Sequence, residues 1–388
     1  MACKRCAGLS YTRIKDHGAM VFDGSRNCAY ARALAKTVGP ETSVMDLGAG
    51  LGVHGFMASR LGAGAVHLVE PSPVLSLAEE IARANSLQNI YYHQCTVQEL
   101  QLAAPVDVIV SVFTGNFLLS EDLLPALFFA RDKFLGPGGR LLPDRGRMEV
   151  VPVSAPDYYH QQVGRWAAYP EYAAAISLPA LDYAKARRFA ANALYYDAWD
   201  AFDATALGDP VGLTELDFAT AVNASCDSEV QVQVEHAGAC HGWLGWFQIK
   251  LADEWFSTSG EAATTHWRPV FLPLEQPLSV EVGDTLEFSL KRPEFGEWSW
   301  ITRHGTTRQQ QSTFLSQPIS PEQLRRSSDH FQPNLSGRGK AACWLLQNMA
   351  GKATVSQLAS QVIARFAGIF LNYEEALDFV KDLARRHG

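Results

Sequence analysis

The feature that most constrains this chain is a short apolar run that breaks into glycines. Val44-Met45-Asp46-Leu47 leads into Gly48-Ala49-Gly50-Leu51-Gly52. The run reads as a strand, and the three alternate glycines read as a turn that opens a helix from about Gly52 to Leu61. Glycine is needed where the backbone takes φ > 0 or must approach a ligand closely. A second strand, Ala65-Val66-His67-Leu68-Val69, ends in Glu70. An acidic residue about 20 residues past a glycine turn is placed to accept ribose hydroxyls. The spacing is G-x-G-x-G, not the G-x-G-x-x-G of dinucleotide sites. It suits a nucleoside without a pyrophosphate, such as S-adenosylmethionine (SAM). The alternative is an ordinary tight strand-to-helix turn, and Asp46 before the turn and Glu70 after it favour the cofactor.

Around this turn the pattern is regular. Apolar strand-like runs at 43–47, 65–69, 90–94, 107–111 and 140–142 alternate with helix-like runs at 52–61, 73–86 and 121–134. Such alternation predicts a parallel sheet with right-handed crossovers, an α/β Rossmann-like domain over 41–145. Ligands of such sheets lie beyond the carboxyl ends of the strands. The positions to inspect are therefore Gly48, Gly50, Glu70, the turn Thr96-Val97-Gln98-Glu99, and the loop after Ser111. Gln98 is placed either to bond an adenine edge or simply to face solvent. Ser120-Glu121-Asp122 read as the start of the helix that follows.

Before the sheet, residues 1–40 hold a helix over Ala31–Val38, ended by Gly39-Pro40, and the polar series Tyr11, His17, Met20, Asp23, Arg26, Tyr30. That series is either a half-exposed arm or a lid across the cofactor. In a lid, Arg26 would pair with the methionine carboxylate of SAM.

After about 146 the grammar changes. Short alternating runs (148–153, 230–234, 246–251, 270–274, 278–282, 286–290) predict an all-β barrel or sandwich over 146–315. A segment rich in Ala, Tyr and Arg at about 157–205 has helical spacing and reads as a packing or oligomerisation arm. Pro, Ser and Arg mark a linker at 316–334. Residues 335–388 read as a separate unit of three short helices, of helix-turn-helix or winged-helix shape.

Composition excludes several classes. The chain has 388 residues and a formal net charge of −8, which argues against a dedicated nucleic-acid binder. No apolar run is long enough to span a membrane, and Met1-Ala2-Cys3-Lys4-Arg5-Cys6 has no apolar signal core, so the cytoplasm is the expected location. Seven scattered cysteines fit reduced thiols. Cys3 and Cys6 form one C-x-x-C, but His17 and Cys28 do not complete a zinc spacing, so no metal is expected.

Over roughly residues 8–315 the chain resembles protein arginine methyltransferases. The pieces that carry the resemblance are the series from Tyr11 to Tyr30, the glycine turn with Glu70, Val97-Gln98-Glu99, Phe129 to Leu135, Gly136-Pro137-Gly138-Gly139, Leu142-Pro143-Asp144-Arg145, Phe256-Ser257-Thr258-Ser259 and Thr265-His266-Trp267. The resemblance implies SAM as cofactor, bound by His17, Met20, Arg26, Asp46, Gly48, Gly50, Glu70, Pro71, Val97 and Gln98. It implies Glu121 and His266 as catalytic residues, with Tyr11, Val112, Phe113 and Trp267 on the substrate side. His266 beside a tryptophan reads on its own as a core histidine, and the Thr-His-Trp loop is what makes it a site residue. The family also implies homodimers, with the 157–205 arm as the contact.

One departure matters. The family's substrate loop carries two glutamates; here Val112 stands at the first and Glu121 at the second. Removing one carboxylate from a buried guanidinium costs about 3–5 kcal/mol. Either the acceptor is not arginine, or a charge from the substrate or another loop replaces the missing one. The tail, 335–388, resembles a PqqD-type peptide-chaperone domain through Gly339-Lys340-Ala341-Ala342, Trp344-Leu345-Leu346, Thr354-Val355 and the apolar spacing of 374–383. That resemblance implies capture of a leader peptide as an added strand, hence a ribosomal precursor peptide as substrate; the alternative is a cap that only stabilises the barrel. Three readings remain: an N-methyltransferase acting on a peptide or protein, a natural-product or small-molecule methyltransferase, and a SAM-binding scaffold without activity.

Overall fold

A computed structural model describes residues 13–260 and 265–387. The chain divides into two compact units, residues 1–318 and 319–388. The first opens with α1 (Ile14–Val21) and α2 (Gly24–Thr37). The sequence placed the helix start at Ala31; it begins a full two turns earlier because the Asp23 side chain accepts from the Arg26 N–H and caps it.

The parallel sheet follows: β1 (Ser43–Leu47), α3 (Val53–Arg60), β2 (Ala65–Val69), α4 (Val74–Ala84), β3 (Ile90–His93), β4 (Val106–Ser111), α5 (Leu124–Phe134) and β5 (Leu135–Leu142). Strand order is β3-β2-β1-β4-β5. The order reverses direction at β1, and the crevice between β1 and β4 is where such sheets bind ligands. Register places Leu47 opposite Ser111. The glycine turn and the loop after β4 therefore leave neighbouring strands at the same level. Val44, Val66, Leu68 and Ile109 are fully buried, as strands covered on both faces require.

The expectation that Ser120-Glu121-Asp122 open a helix is not met, since α5 starts at Leu124. Asp122 has φ 55°, and Phe117 and Leu118 have φ 53° and 59°. Left-handed backbone at three non-glycine residues cannot propagate an α-helix. The Asp122 side chain is drawn away to Arg292, which holds that conformation.

The β domain of this unit runs β6 (Arg145–Ser154), α6 (Pro156–Gln162), α7 (Tyr169–Ala175), α8 (Ala184–Ala190), β7 (Tyr195–Tyr196), β8 (Thr205–Ala206), β9 (Val211–Asp217), β10 (Cys226–Gln233), β11 (Gly238–Leu251), β12 (Glu254–Ser257), β13 (Val270–Val280), β14 (Thr285–Arg292), β15 (Ser299–His304) and β16 (Thr307–Ser312). The expected barrel is two antiparallel sheets without a shared ladder, β7-β13-β11-β6-β8 with β9 and β12 attached, and β10-β14-β15-β16. Trp243 joins them: its ring lies 4.4 Å from that of Phe288, and its indole N–H donates to Thr302 Oγ1 at 2.9 Å. The parallel sheet and the β domain share one apolar core. Arg131 of α5 secures the junction by donating to the carbonyls of Phe218 (2.6 Å) and Ala221 (2.8 Å). The 157–205 segment is helical and packs Tyr158, Tyr159 and Val163 against β6, β11 and β13. Its outer end leaves Tyr172, Ile176, Leu178, Leu181 and Tyr183 exposed.

The second unit contains α9 (Pro321–Arg326), α10 (Gly337–Asn348), α11 (Val355–Arg365) and α12 (Tyr373–His387). Its core is Ala341, Leu345, Leu358, Ala359, Val362, Phe370, Ala376 and Val380. Ser336 caps α10, and a capping box of Thr354 and Gln357 starts α11. No strand forms among its described residues. Among the described residues of the whole chain, no helix is long and apolar enough to cross a membrane and no group of three potential metal ligands occurs.

Candidate active site

The glycine turn adopts the conformation its composition calls for. Gly48, Gly50 and Gly52 have φ of 73°, 52° and 80°. A Cβ on Gly48 would stand 2.3 Å from Phe113 Cε1, and one on Gly50 would stand 3.1 Å from the His17 ring. The turn is thus lined by Phe113 from the loop after β4 and by His17 from α1.

Three carboxylates organise the surroundings. Asp46 is buried and accepts the Gly55 N–H at 2.7 Å, which ties the end of β1 to the first turn of α3. Burial pushes its pKa up to about 7, against the pull of that N–H. It is a support beneath the turn. Glu70, half-buried at the tip of β2, accepts from the Gly50 N–H at 3.1 Å and the Ser72 N–H at 2.8 Å. Two backbone donors fix its carboxylate on the rim of the turn. Asp23, buried at the start of α2, accepts from Thr265 Oγ1 (2.6 Å), the His266 N–H (2.9 Å) and the His266 ring at Nδ1 (2.7 Å). Burial opposes its ionisation, but the bonds from His266, Thr265 and the Arg26 N–H outweigh that and hold the carboxyl well below the usual range.

Arg26 is 2% exposed. Its guanidinium donates to the Met20 carbonyl (2.6 Å) and to Asn27 Oδ1 (2.9 and 3.1 Å), and lies 5.9 Å from the Trp267 ring centre. Burial lowers its pKa, while Tyr30, Asp23 and Asp46 raise it. Tyr30 donates to the Ser111 carbonyl at 2.9 Å, so α2 is pinned to the end of β4. The His54 ring lies 4.4 Å from that of Tyr30, tilted by 37°; burial and Arg26 push its pKa down to about 3, so it is neutral. Trp267 is buried and donates from its indole to the Thr114 carbonyl at 3.0 Å. The Thr265-His266-Trp267 loop thereby touches both α2 and the substrate loop.

In the substrate loop, Glu121 packs against Gly115. A Cβ there would meet Glu121 Cγ at 2.7 Å, so only glycine lets the glutamate lie that close. Val112 is half-buried against the core. The neighbouring Asp122 accepts from Arg292 Nη2 and from the Phe295 N–H at 3.0 Å. Arg292 is 1% exposed, and its guanidinium sits 5.6 Å from the Trp298 ring centre. Ser120 Oγ and the Tyr196 hydroxyl are 2.9 Å apart.

Of the sequence-predicted residues, His17, Arg26, Asp46, Gly48, Gly50, Glu70 and Phe113 gather at the turn. Met20 contributes its carbonyl to Arg26, Val97 is buried, and Pro71 and Gln98 are exposed beside the tips of β2 and β3. Glu121, Val112, His266 and Trp267 lie around the substrate loop, and the His266 Nδ1 faces Asp23. Tyr11 lies outside the described residues, as do Cys3 and Cys6. Sequence reasoning did not single out the Asp122–Arg292 pair or Tyr196. Asp23 was seen only as one member of a polar series, although Asp is among the residues preferred at a helix N-cap.

This arrangement fits SAM: a glycine cradle, a carboxylate fixed on its rim, and a buried arginine behind it. Comparison with known proteins agrees. A family model described as "Methyltransferase domain" matches residues 44–139, and one described as "Arginine methyltransferase oligomerization subdomain" matches 144–295. Among solved structures, the Trypanosoma brucei PRMT1 enzyme–prozyme heterotetrameric complex with AdoHcy superposes with a TM-score of 0.69 at 24% identity, covering 78% of this chain and 99% of that one. Arabidopsis thaliana protein arginine methyltransferase 10 gives 0.66 at 21% identity, covering 80% and 99%.

This chain has the arginine methyltransferase fold.

Its parallel-sheet domain is similar to the first of those family models and its β domain to the second. Relatives include protein arginine N-methyltransferase 2 of Dictyostelium discoideum, 27% identical over 246 residues, and protein arginine N-methyltransferase 1 of Oryza sativa subsp. indica, 26% identical over 289 residues. The matches cover 62% of this chain and 47% of the first relative, and 72% of each for the second. The chain thus spans about half of one relative and nearly three quarters of the other. Within the arginine methyltransferase fold, the matched domains end at residue 295, so the second unit is an addition to them.

Proposed function

We propose that the chain is a SAM-dependent N-methyltransferase acting on a nitrogen of a peptide or protein. The observation that carries this is the register of β1 and β4, which sets the Glu70-rimmed glycine turn and the Glu121 loop side by side. Gly48, Gly50, Glu70 and Arg26 would hold SAM, with His17, Met20, Val97, Pro71 and Gln98 around it. Bound SAM supplies an electrophilic methyl on a sulfonium. The protein's part is orientation and charge. Glu121 would accept a hydrogen bond from the acceptor N–H and turn its lone pair toward the methyl. Trp267 and Phe113 would wall the acceptor channel. The ionised Asp23 would keep His266 oriented beside it, as a positioning partner.

With Val112 packed against the core, Glu121 would supply one carboxylate, so the acceptor would bind with one charge pairing instead of two. Arginine is one candidate acceptor, and a singly bonded amine is another. Incubation with methyl-labelled SAM and arginine or lysine peptides tests this. Label on nitrogen, lost in Glu121→Gln, is the expected outcome; label only on small-molecule acceptors would replace the peptide reading. Val112→Glu should raise transfer to arginine if the missing carboxylate is what limits it. A natural-product methyltransferase is favoured by the same Val112. A SAM-binding scaffold without activity is the reading that survives if no acceptor takes label.

The second unit would present the substrate: with no strand among its described residues, capture of a leader peptide would use helix faces. A precursor peptide made by the ribosome is the substrate this suits. The exposed apolar arm residues from Tyr172 to Tyr183 would meet a second copy in a homodimer, which light scattering on Leu178→Asp/Leu181→Asp would convert to monomer. Free thiols at Cys28, Cys95, Cys226, Cys240 and Cys343 suit the cytoplasm.

A further inference from the structure

Charge in the second unit is segregated along the chain. From His330 to Tyr373 there is no Asp or Glu, whereas Arg338, Lys340, Lys352 and Arg365 are cationic. The nearby acids, Glu374, Glu375, Asp378 and Asp382, all lie on α12. Arg338 is neutralised by Glu375. Among the described residues Lys340 and Arg365 make no ion pair. Uncompensated cations along this acid-free stretch set a positive local field.

These two cations flank a groove. It is lined by Leu335, Lys340, Cys343, Trp344, Arg365 and Phe366, with a volume of about 540 Å³. That volume takes several side chains of a peptide and is far more than an inorganic ion needs. Lys340 and Trp344 are one helical turn apart on α10 and share a face, while Ala341 and Leu345 turn inward to the core. Arg365, the last residue of α11, places its guanidinium 5.7 Å from the centre of the Trp344 ring. Phe366 meets the same ring edge-on at 6.2 Å. Leu335 is 58% exposed at the mouth. The groove therefore has an aromatic floor and a cationic rim, the combination that selects apolar anchors flanked by carboxylates.

We propose that this groove docks an acidic segment of the peptide substrate, with apolar side chains on Trp344 and Phe366 and carboxylates on Lys340 and Arg365. The inference deepens the peptide-acceptor reading above and rests on it. It differs from strand addition, because side chains and not a ladder make the contacts. Nucleic acid is disfavoured by arithmetic: the three unpaired cations of this stretch, Lys340, Lys352 and Arg365, displace about three counterions, too few for useful affinity at physiological salt. The chain's own first residues carry Lys4 and Arg5, the wrong sign for this rim.

The test uses the full-length protein and three fluorescein-labelled probes: an amphipathic Leu/Glu 20-mer, its Leu/Lys counterpart, and a 20-nucleotide oligouridylate. Fluorescence anisotropy should show the Leu/Glu peptide binding at least about tenfold more tightly than either of the others. K340E/R365E should weaken it by about tenfold or more, and K340Q/R365Q by less, with circular dichroism unchanged. K381E on α12 should leave it as it was. Equal binding of the Leu/Lys peptide, tighter binding of the oligouridylate, no Leu/Glu binding, or binding indifferent to K340E/R365E would each overturn the proposal. So would light scattering that shows the groove filled by a second copy. Binding is read without methyl transfer, so a peptide that docks and takes no label removes the acceptor reading and leaves the groove. A peptide that is methylated equally by K340E/R365E does the reverse.

Discussion

The cofactor side and the acceptor side of the crevice are built in different ways. On the cofactor side the holding contacts are local: Glu70 fixes Gly50, 20 residues away, and Asp46 fixes Gly55, nine residues away. The donors are backbone N–H groups, which any sequence supplies once the turn has formed. On the acceptor side the holding contacts are remote. Asp122 is held by Arg292, 170 residues on, and Trp267 reaches Thr114 across 153 residues. The difference teaches that the glycine turn is held by a short local segment, whereas the geometry around Glu121 depends on how the β domain sits on the sheet. A change in that geometry can thus arise far from the loop itself.

Substitutions can break or sharpen this contrast. The largest effect is expected at Glu121→Gln, a fall in kcat of about 10²–10³-fold with SAM affinity unchanged, measured by steady-state kinetics beside calorimetry. A parallel loss of SAM binding would mean the two sides are not separable. Next is Arg292→Met, which leaves Asp122 as an unpaired buried carboxylate. It should cost about 3–5 kcal/mol in chemical denaturation, and the double variant Arg292→Met/Asp122→Leu should recover much of that. Glu70→Ala should weaken SAM binding by about 10–100-fold, as loss of charge-assisted hydrogen bonds implies, with little change in acceptor KM. Unchanged SAM affinity would remove Glu70 from the site.

A further expected effect is a slope with pH. Asp46 has its folded pKa raised to about 7 from 3.8, so its contribution to stability is fully present below about pH 4 and is lost as pH rises through 7. In the SAM-free protein, Asp46→Asn keeps an oxygen for the Gly55 N–H and removes the titration. The Tm difference between variant and parent should grow from pH 5 to pH 8 in the variant's favour. A constant difference would mean that Asp46 ionises normally.

Much of the cofactor side was legible because local chemistry encodes it. A glycine turn, an apolar run and a terminal acid are each visible within a few residues of one another, and the strands 43–47 and 65–69 appear where they were expected. The acceptor side was legible only in its residue types. Nothing near Asp122 announces Arg292, and left-handed backbone at Phe117, Leu118 and Asp122 replaced a helix start that Ser120-Glu121-Asp122 spelled out in ordinary propensity. Tyr196 reaches Ser120 because β7 pairs with β13, a tertiary fact with no local signature. In the second unit the three helices and the Thr354 cap follow their sequence signals, while the absence of strands among its described residues could not be read from apolar spacing shared by many helical units.

The Asp23 cluster carries a consequence for how the chain is made. Asp23 and His266 are 243 residues apart. At ribosomal rates of about 5–20 residues per second, roughly 12–50 s pass between their syntheses. Throughout that interval the carboxylate at the start of α2 lacks three of its four hydrogen-bond donors. Nascent chains can assemble the parallel sheet early, since its strands are finished by residue 142. The site itself closes only when the Thr265–Trp267 loop emerges, so an arrested or truncated chain would have a finished sheet and an open crevice.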